Sequence, residues 1–263
     1  MKRMLAAVLV ACLGLLAVAG SASFAQDAEK EVVIYFVRHG KTFFNTTGQV
    51  QGFADSPLTQ LGIDQAVQVG KGMKDIVFAT AYSSDLGRQR ATAKLILAEN
   101  ANDTPELQEL YGLREWNYGG FEGKTNAEMW TPIMEKYGLK FDENWTDYEK
   151  LVEILGDEGI ADAIAEADPL GAAENYAQIV KRSREAMDTI VSETLNLGGG
   201  NALVVSSGGE IPTILTMLVP DQYKGQSIGN CSVTILRYKN GFYTLGVVGD
   251  NTYLEQGGVE SGV

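Results

Sequence analysis

The chain has 263 residues, 45% of them hydrophobic, with 34 acidic against 21 basic side chains and a formal net charge of −13. That is ample apolar sequence for one larger or two small cores, and an acidic surface of this kind disfavours nucleic acid and anionic lipid as partners. Cys12 falls in an N-terminal leader, which leaves Cys231 alone and excludes an intrachain disulfide or a cysteine zinc cluster in the mature chain.

Lys2 and Arg3, an almost unbroken apolar run over residues 4–20, and small residues at Ser23 and Ala25 read as a secretory signal peptide covering residues 1–25. An uncleaved anchor competes, because the run approaches membrane-spanning length. Leu9-Val10-Ala11-Cys12 also loosely matches a lipidation box, but apolar sequence continues past Cys12 and would leave a sticky tail. The expectation is cleavage before Gln26, a secreted or periplasmic location, and no stable membrane insertion thereafter. Losing Lys2 and Arg3 takes the net charge to −15, and the mature domain over residues 26–263 has about 238 residues.

Residues 31–37 predict a strand buried on both faces, since Val32, Val33, Ile34, Tyr35, Phe36 and Val37 are continuously β-prone. The Gly-, Thr-, Asn- and Gln-rich stretch over residues 38–58 is a long loop at a strand end, where sites are often found. A helix over 59–74 follows Pro57, and a short strand over 77–82 leads into Ser83-Ser84-Asp85, which supplies N-cap residues for a helix over 86–98. Residues 107–113 hold a third strand or a turn, and 124–171 read as short acidic helices. A long amphipathic helix covers 173–195, a buried-type strand 202–205 and a helix 210–218. Two strands over 232–238 and 243–248 join at Asn240-Gly241 as a hairpin, and the last ten residues read as a polar tail. Alternating strands and helices predict one three-layer α/β/α domain with a mostly parallel sheet, and residues 116–200 form a helical insertion over the strand ends.

Open α/β sheets bind ligands beyond the carboxyl edge of their strands. That edge collects Arg38, His39, Thr42 and Asn45 from the first strand, Ser84, Asp85 and Arg88 from the second, Glu115 before the insertion, and Ser206, Ser207 and two glycines from the fourth. Two arginines, short donors and a helix N-terminus suit a tetrahedral dianion. An imidazole among cations is pushed toward its neutral, nucleophilic form, and His39 is the only histidine in the chain. Each residue has a plainer reading: a lone histidine can end a strand, Arg88 can be a surface ion-pair partner, Glu115 can pack beneath aromatics, and Thr42 and Asn45 can be turn residues. Lys41, Arg90 and Lys124 read as solvated or rim charges.

Three motifs weigh against the plainer readings together. Arg38-His39-Gly40-Lys41-Thr42 with Gln51-Gly52 and Asp55-Ser56-Pro57-Leu58-Thr59, then Ser84-Asp85-Leu86-Gly87-Arg88-Gln89-Arg90-Ala91-Thr92-Ala93, then Leu113-Arg114-Glu115-Trp116-Asn117-Tyr118-Gly119 with Phe121-Glu122-Gly123 resemble, in order, the signature of the histidine phosphatase (phosphoglycerate mutase-like) superfamily. The wording is closer to its phosphatases than to its mutases. The resemblance implies a phosphate monoesterase acting on a small-molecule phosphate ester. In that scheme His39 is the nucleophile, Glu115 the proton donor, and Arg38 and Arg88 the phosphoryl ligands. Asn45 and Thr42 fall on positions that line the same pocket, and no metal or cofactor is required. The family carries a second histidine in a Ser-His-Gly turn; here Ser207 occupies its place. That substitution leaves two outcomes open, a weakened enzyme or a pocket that binds a phosphorylated ligand without turnover. Acidic residues of the insertion, placed over the pocket, would disfavour highly anionic substrates.

Overall fold

A computed structural model of the chain describes residues 30–258; the leader, its expected cleavage point and the last five residues lie outside the described residues. Within them a mixed six-stranded sheet carries eight α-helices. In chain order these are β1 (Glu31–Arg38), α1 (Phe43–Thr47), α2 (Gln60–Gly72), β2 (Phe78–Ser83), α3 (Gly87–Ala98), β3 (Leu107–Glu109), α4 (Asn126–Glu135), α5 (Tyr148–Ala167), α6 (Tyr176–Asn196), β4 (Gly200–Ser206), α7 (Glu210–Leu218), β5 (Val233–Lys239), β6 (Phe242–Leu245) and α8 (Thr252–Gln256).

The strand order is β3-β2-β4-β1-β5-β6. The strands β3, β2, β4 and β1 run parallel; β5 pairs antiparallel with β1, and β6 pairs antiparallel with β5 at the edge. Because β1 is central, its side chains feed both layers. Val32, Ile34 and Phe36 pack with Met187 and Ile190 of α6 and Ile211 and Ile214 of α7. Val37 packs on the opposite face with Ala66 and Val69 of α2, Ala93 and Ile96 of α3, and Leu254 of α8. Each fully buried Val, Leu, Ile, Phe or Met among these contributes roughly 1.5–3 kcal/mol through removal of apolar area from water. The hairpin forms where Asn240-Gly241 predicts it, with both residues at positive φ, 55° and 84°, as a two-residue turn of the right twist requires.

Three expectations change. Leu254 is buried against the sheet in α8, so the polar tail begins later than residue 254. The second hairpin strand ends at Leu245, three residues early. The helix expected over 86–98 has Leu86 as its N-cap, with no side-chain cap of its own; Asp55, over thirty residues upstream, accepts from the Gly87 amide at 2.6 Å.

Residues of the insertion build a separate apolar cluster around Trp116, Phe121, Trp130, Leu151 and Ile160. The helix α6 joins this cluster through Ile179 and then runs under the sheet through Met187 and Ile190, so it braces the insertion against the strands.

Candidate active site

Parallel register sets the site. Arg38 lies opposite Ser206, and Ser83 opposite Val205, so the residues following β1, β2 and β4 emerge at one edge. The chain beyond is knitted there: the His39 amide donates to the Ser206 carbonyl at 3.0 Å, the Ser84 amide to Val205 at 3.3 Å, and the Ser206 hydroxyl to the Leu113 carbonyl at 2.9 Å. The last bond fixes the segment that carries Glu115.

His39 is 3% exposed. Its Nδ1 lies 2.9 Å from the Gly40 carbonyl, which can only accept, so Nδ1 carries the proton and Nε2 keeps its lone pair. Burial, then the charges of Arg88 and Arg38, hold the imidazole well below its ordinary value of 6.5. It is therefore neutral at physiological pH, as a nucleophile must be.

Arg38 ends β1 with its guanidinium against Gly208, where an added Cβ would sit 3.1 Å from Cζ. One terminal nitrogen donates to the Ile228 carbonyl at 2.8 Å, and Nε is buried without a partner. Arg88 is 1% exposed. It donates to the Gly52 carbonyl at 2.8 Å, the Ala54 carbonyl at 3.1 Å and Asp55 at 3.1 Å, and its Nε likewise has no partner. Two buried guanidinium N–H groups without acceptors, beside a lone-pair nitrogen, can receive the oxygens of a tetrahedral anion.

Glu115 is buried and held by backbone. Its carboxylate accepts from the Trp116 amide at 2.9 Å and from the Gly209 amide at 2.8 Å, at the start of α7. A Cβ on residue 209 would lie 2.5 Å from Glu115 Oε1, so glycine there is a requirement of close approach. Glu115 is charge-coupled to both Arg38 and Arg88. Ser207 is fully buried, and its hydroxyl is 2.5 Å from Gln89 Nε2.

A cavity of about 540 Å³ opens beside this cluster. Arg38, Asn45 and Asn230 line it, and the Asn230 amide also holds the His39 carbonyl at 2.9 Å. Thr42 does not line it. Its hydroxyl accepts from the Asn45 amide, capping α1, and donates to Gln51 at 3.0 Å; Thr42 shapes the loop that presents Asn45. Lys41, expected as a solvated charge, lines the cavity, and no acidic side chain does. The acidic roof is thus corrected: among the described residues Glu143 alone reaches an adjoining depression. No group of three or more His, Cys, Asp or Glu side chains among the described residues could hold a metal ion.

Several supporting residues carry no catalytic signature in sequence. Glu122 accepts from the amides of Gly52, Phe53, Ala54 and Tyr118 at 2.7–3.0 Å, and so fixes the loop whose carbonyls hold Arg88. Arg182, on α6, donates to the carbonyls of Gly112, Arg114 and Glu115 and pairs with Glu174 and Glu210. Asp85 pairs with Arg114 through two 2.6 Å bonds instead of capping α3. The signal for Arg88 lay in α3 itself, whose buried face holds Arg88, Gln89 and Thr92 where an ordinary helix would bury apolar groups.

Comparison with known proteins bears on family and fold. The family described as histidine phosphatase superfamily (branch 1) matches residues 34–251. A probable phosphoglycerate mutase GpmB of Erwinia tasmaniensis is 29% identical over 204 residues, covering 76% of this chain and 82% of that protein. Among solved structures, a phosphoglycerate mutase from Bacillus anthracis is 38% identical with a TM-score of 0.81, covering 88% of this chain and 99% of that one. A phosphoserine phosphatase from Entamoeba histolytica, solved with 3-phosphoglyceric acid, is 26% identical with a TM-score of 0.61, covering 85% and 99%.

Proposed function

The chain belongs to the histidine phosphatase superfamily, and from that premise we propose that it is an exported phosphatase that hydrolyses small-molecule phosphate monoesters through a phosphohistidine at His39. The observation that carries the reading is that the lone pair of His39 Nε2 lies in the field of Arg88 and Arg38, each of which keeps a buried Nε–H without a partner. Nε2 attacks phosphorus while the ester P–O bond breaks, and Glu115 in its protonated form delivers a proton to the leaving oxygen. Water then attacks the phosphohistidine, Glu115 takes up its proton, and orthophosphate leaves with His39 regenerated. Arg38 and Arg88 neutralise the equatorial oxygens throughout, which is most of what a phosphoryl transfer state needs. Asn45, at the cavity wall, adds a donor.

Ser207 limits the rate. A serine hydroxyl beside Gln89 replaces a charged donor, and the loss of one pre-placed donor costs about 3 kcal/mol, or roughly a hundredfold or more in rate. The burial of that hydroxyl against Gln89 also favours the second reading, a protein that binds phosphorylated ligands without turning them over. Export rests on residues 1–25 and argues against a glycolytic mutase. Mass analysis of the exported chain tests it, with Gln26 the expected first residue.

The deciding assay compares three chains on a generic phosphate ester: the parent, Ser207→His and His39→Ala. Hydrolysis by the parent that vanishes in His39→Ala supports the enzyme. Hydrolysis only after Ser207→His supports the binding protein. No hydrolysis in any of the three refutes the mechanism.

A further inference from the structure

Trp145 departs from its surroundings in two ways. Its backbone has φ of 58°, a left-handed conformation that a bulky side chain adopts rarely. Its indole is held by edge-to-face contacts with Phe141, Tyr148 and Trp130, ring centroids 5.1, 5.4 and 5.5 Å apart. So braced, it lines both the 540 Å³ cavity beside Arg38 and the adjoining 420 Å³ depression. It stands at the junction of the two.

The hydrogen-bonding inventory of the cavity wall is lopsided. The indole N–H of Trp116, elsewhere in the insertion, donates to Thr213 at 2.9 Å, whereas those of Trp130 and Trp145 have no partner among the described residues. Gln51 spends its oxygen on Thr42 and Ser56 and keeps its amide N–H groups. Asn45 likewise spends its oxygen, on the Thr42 amide and Asn230. Lys41 makes no ion pair among the described residues. The side-chain oxygens of Asn126 and Asn230, on the same wall, are spare acceptors, but the spare donors outnumber them and call for a ligand rich in oxygen acceptors that also carries hydroxyl hydrogens. Rigid aromatic walls call for one with a flat face.

We propose that this cavity selects sugar-ring phosphate monoesters, with Trp145 as the specificity-determining platform on which the ring stacks. The proposal rests on the phosphatase reading of the same site. The phosphoryl group meets Arg38 at the inner end; the ring lies across the Trp145 indole; its hydroxyl and ring oxygens accept from Lys41, Gln51 and the spare indole N–H groups. An open-chain ester would leave the indole and most of these donors uncovered.

Calorimetry on the His39→Ala chain, which cannot turn substrate over, separates the two claims. Three probes are used: orthophosphate, glycerol 1-phosphate and glucose 6-phosphate, the two esters sharing a primary alkyl leaving group. Glucose 6-phosphate is expected to bind about tenfold tighter than glycerol 1-phosphate, the size of one good ring contact. Adding Trp145→Ala brings the two esters to within about twofold of each other and leaves orthophosphate unchanged, and Trp145→Phe keeps most of the preference. Equal binding of the two esters in the parent overturns the proposal, as does a Trp145→Ala loss that falls equally on orthophosphate. Orthophosphate binding without ring preference leaves the phosphatase reading standing and sinks this one. Failure of all three probes to bind sinks both.

Discussion

Glu122 should govern Arg88 although the two do not touch. Its Oε2 accepts from the Gly52 and Ala54 amides and its Oε1 from those of Phe53 and Tyr118; the Gly52 and Ala54 carbonyls then accept from Arg88. Glu122→Gln keeps the shape but turns one oxygen into an NH2 that faces two N–H groups. Two charged hydrogen bonds are lost at about 1–3 kcal/mol each. Because the site is only part-buried, the expected cost is about 2–4 kcal/mol, a fall in Tm of roughly 4–16 °C for a domain of this size. Urea unfolding followed by circular dichroism measures the first figure. Hydrolysis assayed well below the lowered Tm measures the second consequence, a weaker phosphoryl grip as the loop releases Arg88. An unfolding free energy within about 0.5 kcal/mol of the parent, or unchanged KM and kcat in a destabilised variant, would refute the chain of support.

The single histidine permits an unambiguous titration: its one Hε1–Cε1 NMR resonance is expected to stay in the neutral position well below pH 6.5, since burial and the two arginines depress it, and a midpoint at the ordinary value would show that the arginines do not face it. Gly209→Ala should cost both activity and stability: the backbone is helical, with φ and ψ of −94° and −37°, but a Cβ would strike the buried Glu115 carboxylate and push it off the Gly209 amide. The expected loss is about tenfold or more in kcat and about 1–3 kcal/mol of unfolding free energy, and full activity would contradict the assigned contact. Burial raises Glu210 from 4.5 to about 8. A carboxyl whose folded value lies above its unfolded one stabilises fully below about 4.5 and loses that contribution as pH rises through about 8. Tm should therefore fall across that window in the parent and fall less in Glu210→Gln; parallel profiles would dismiss the shift.

Much of this was legible in residues with local causes. The continuous β-prone run before Arg38 could only be a strand buried on both faces, and Asn240-Gly241 could only be a tight turn. What stayed hidden involves partners distant in sequence. Asp85 sits where a capping residue belongs, yet Arg114 captures it and Asp55 caps α3 from the other side of the site. Thr42 looked like a phosphate ligand because hydroxyls serve both purposes; its position beneath Gln51 decides for capping. Glu122 binds backbone amides, and half of the Arg182 bonds go to backbone carbonyls; backbone groups leave no trace in composition. Leu254 was lost among polar neighbours, since one apolar residue in a short helix sets no period.

The acidity of the chain and the positive character of its cavity have one explanation. Carboxylates around the site are turned toward backbone amides. Glu122 takes four, Asp168 takes those of Gly120, Leu170, Ala172 and Ala173, Glu115 takes two, and Asp55 caps α3. Each anion so used rigidifies a turn and is withdrawn from the cavity wall, where Arg38 and Lys41 are left to set the local field. Net charge therefore predicts what the outer surface repels, and it misleads about the cavity. On the function proposed above, a phosphorylated ligand would approach against the first and be held by the second, so raising ionic strength should weaken the long-range repulsion more than it weakens a contact buried beside Arg38.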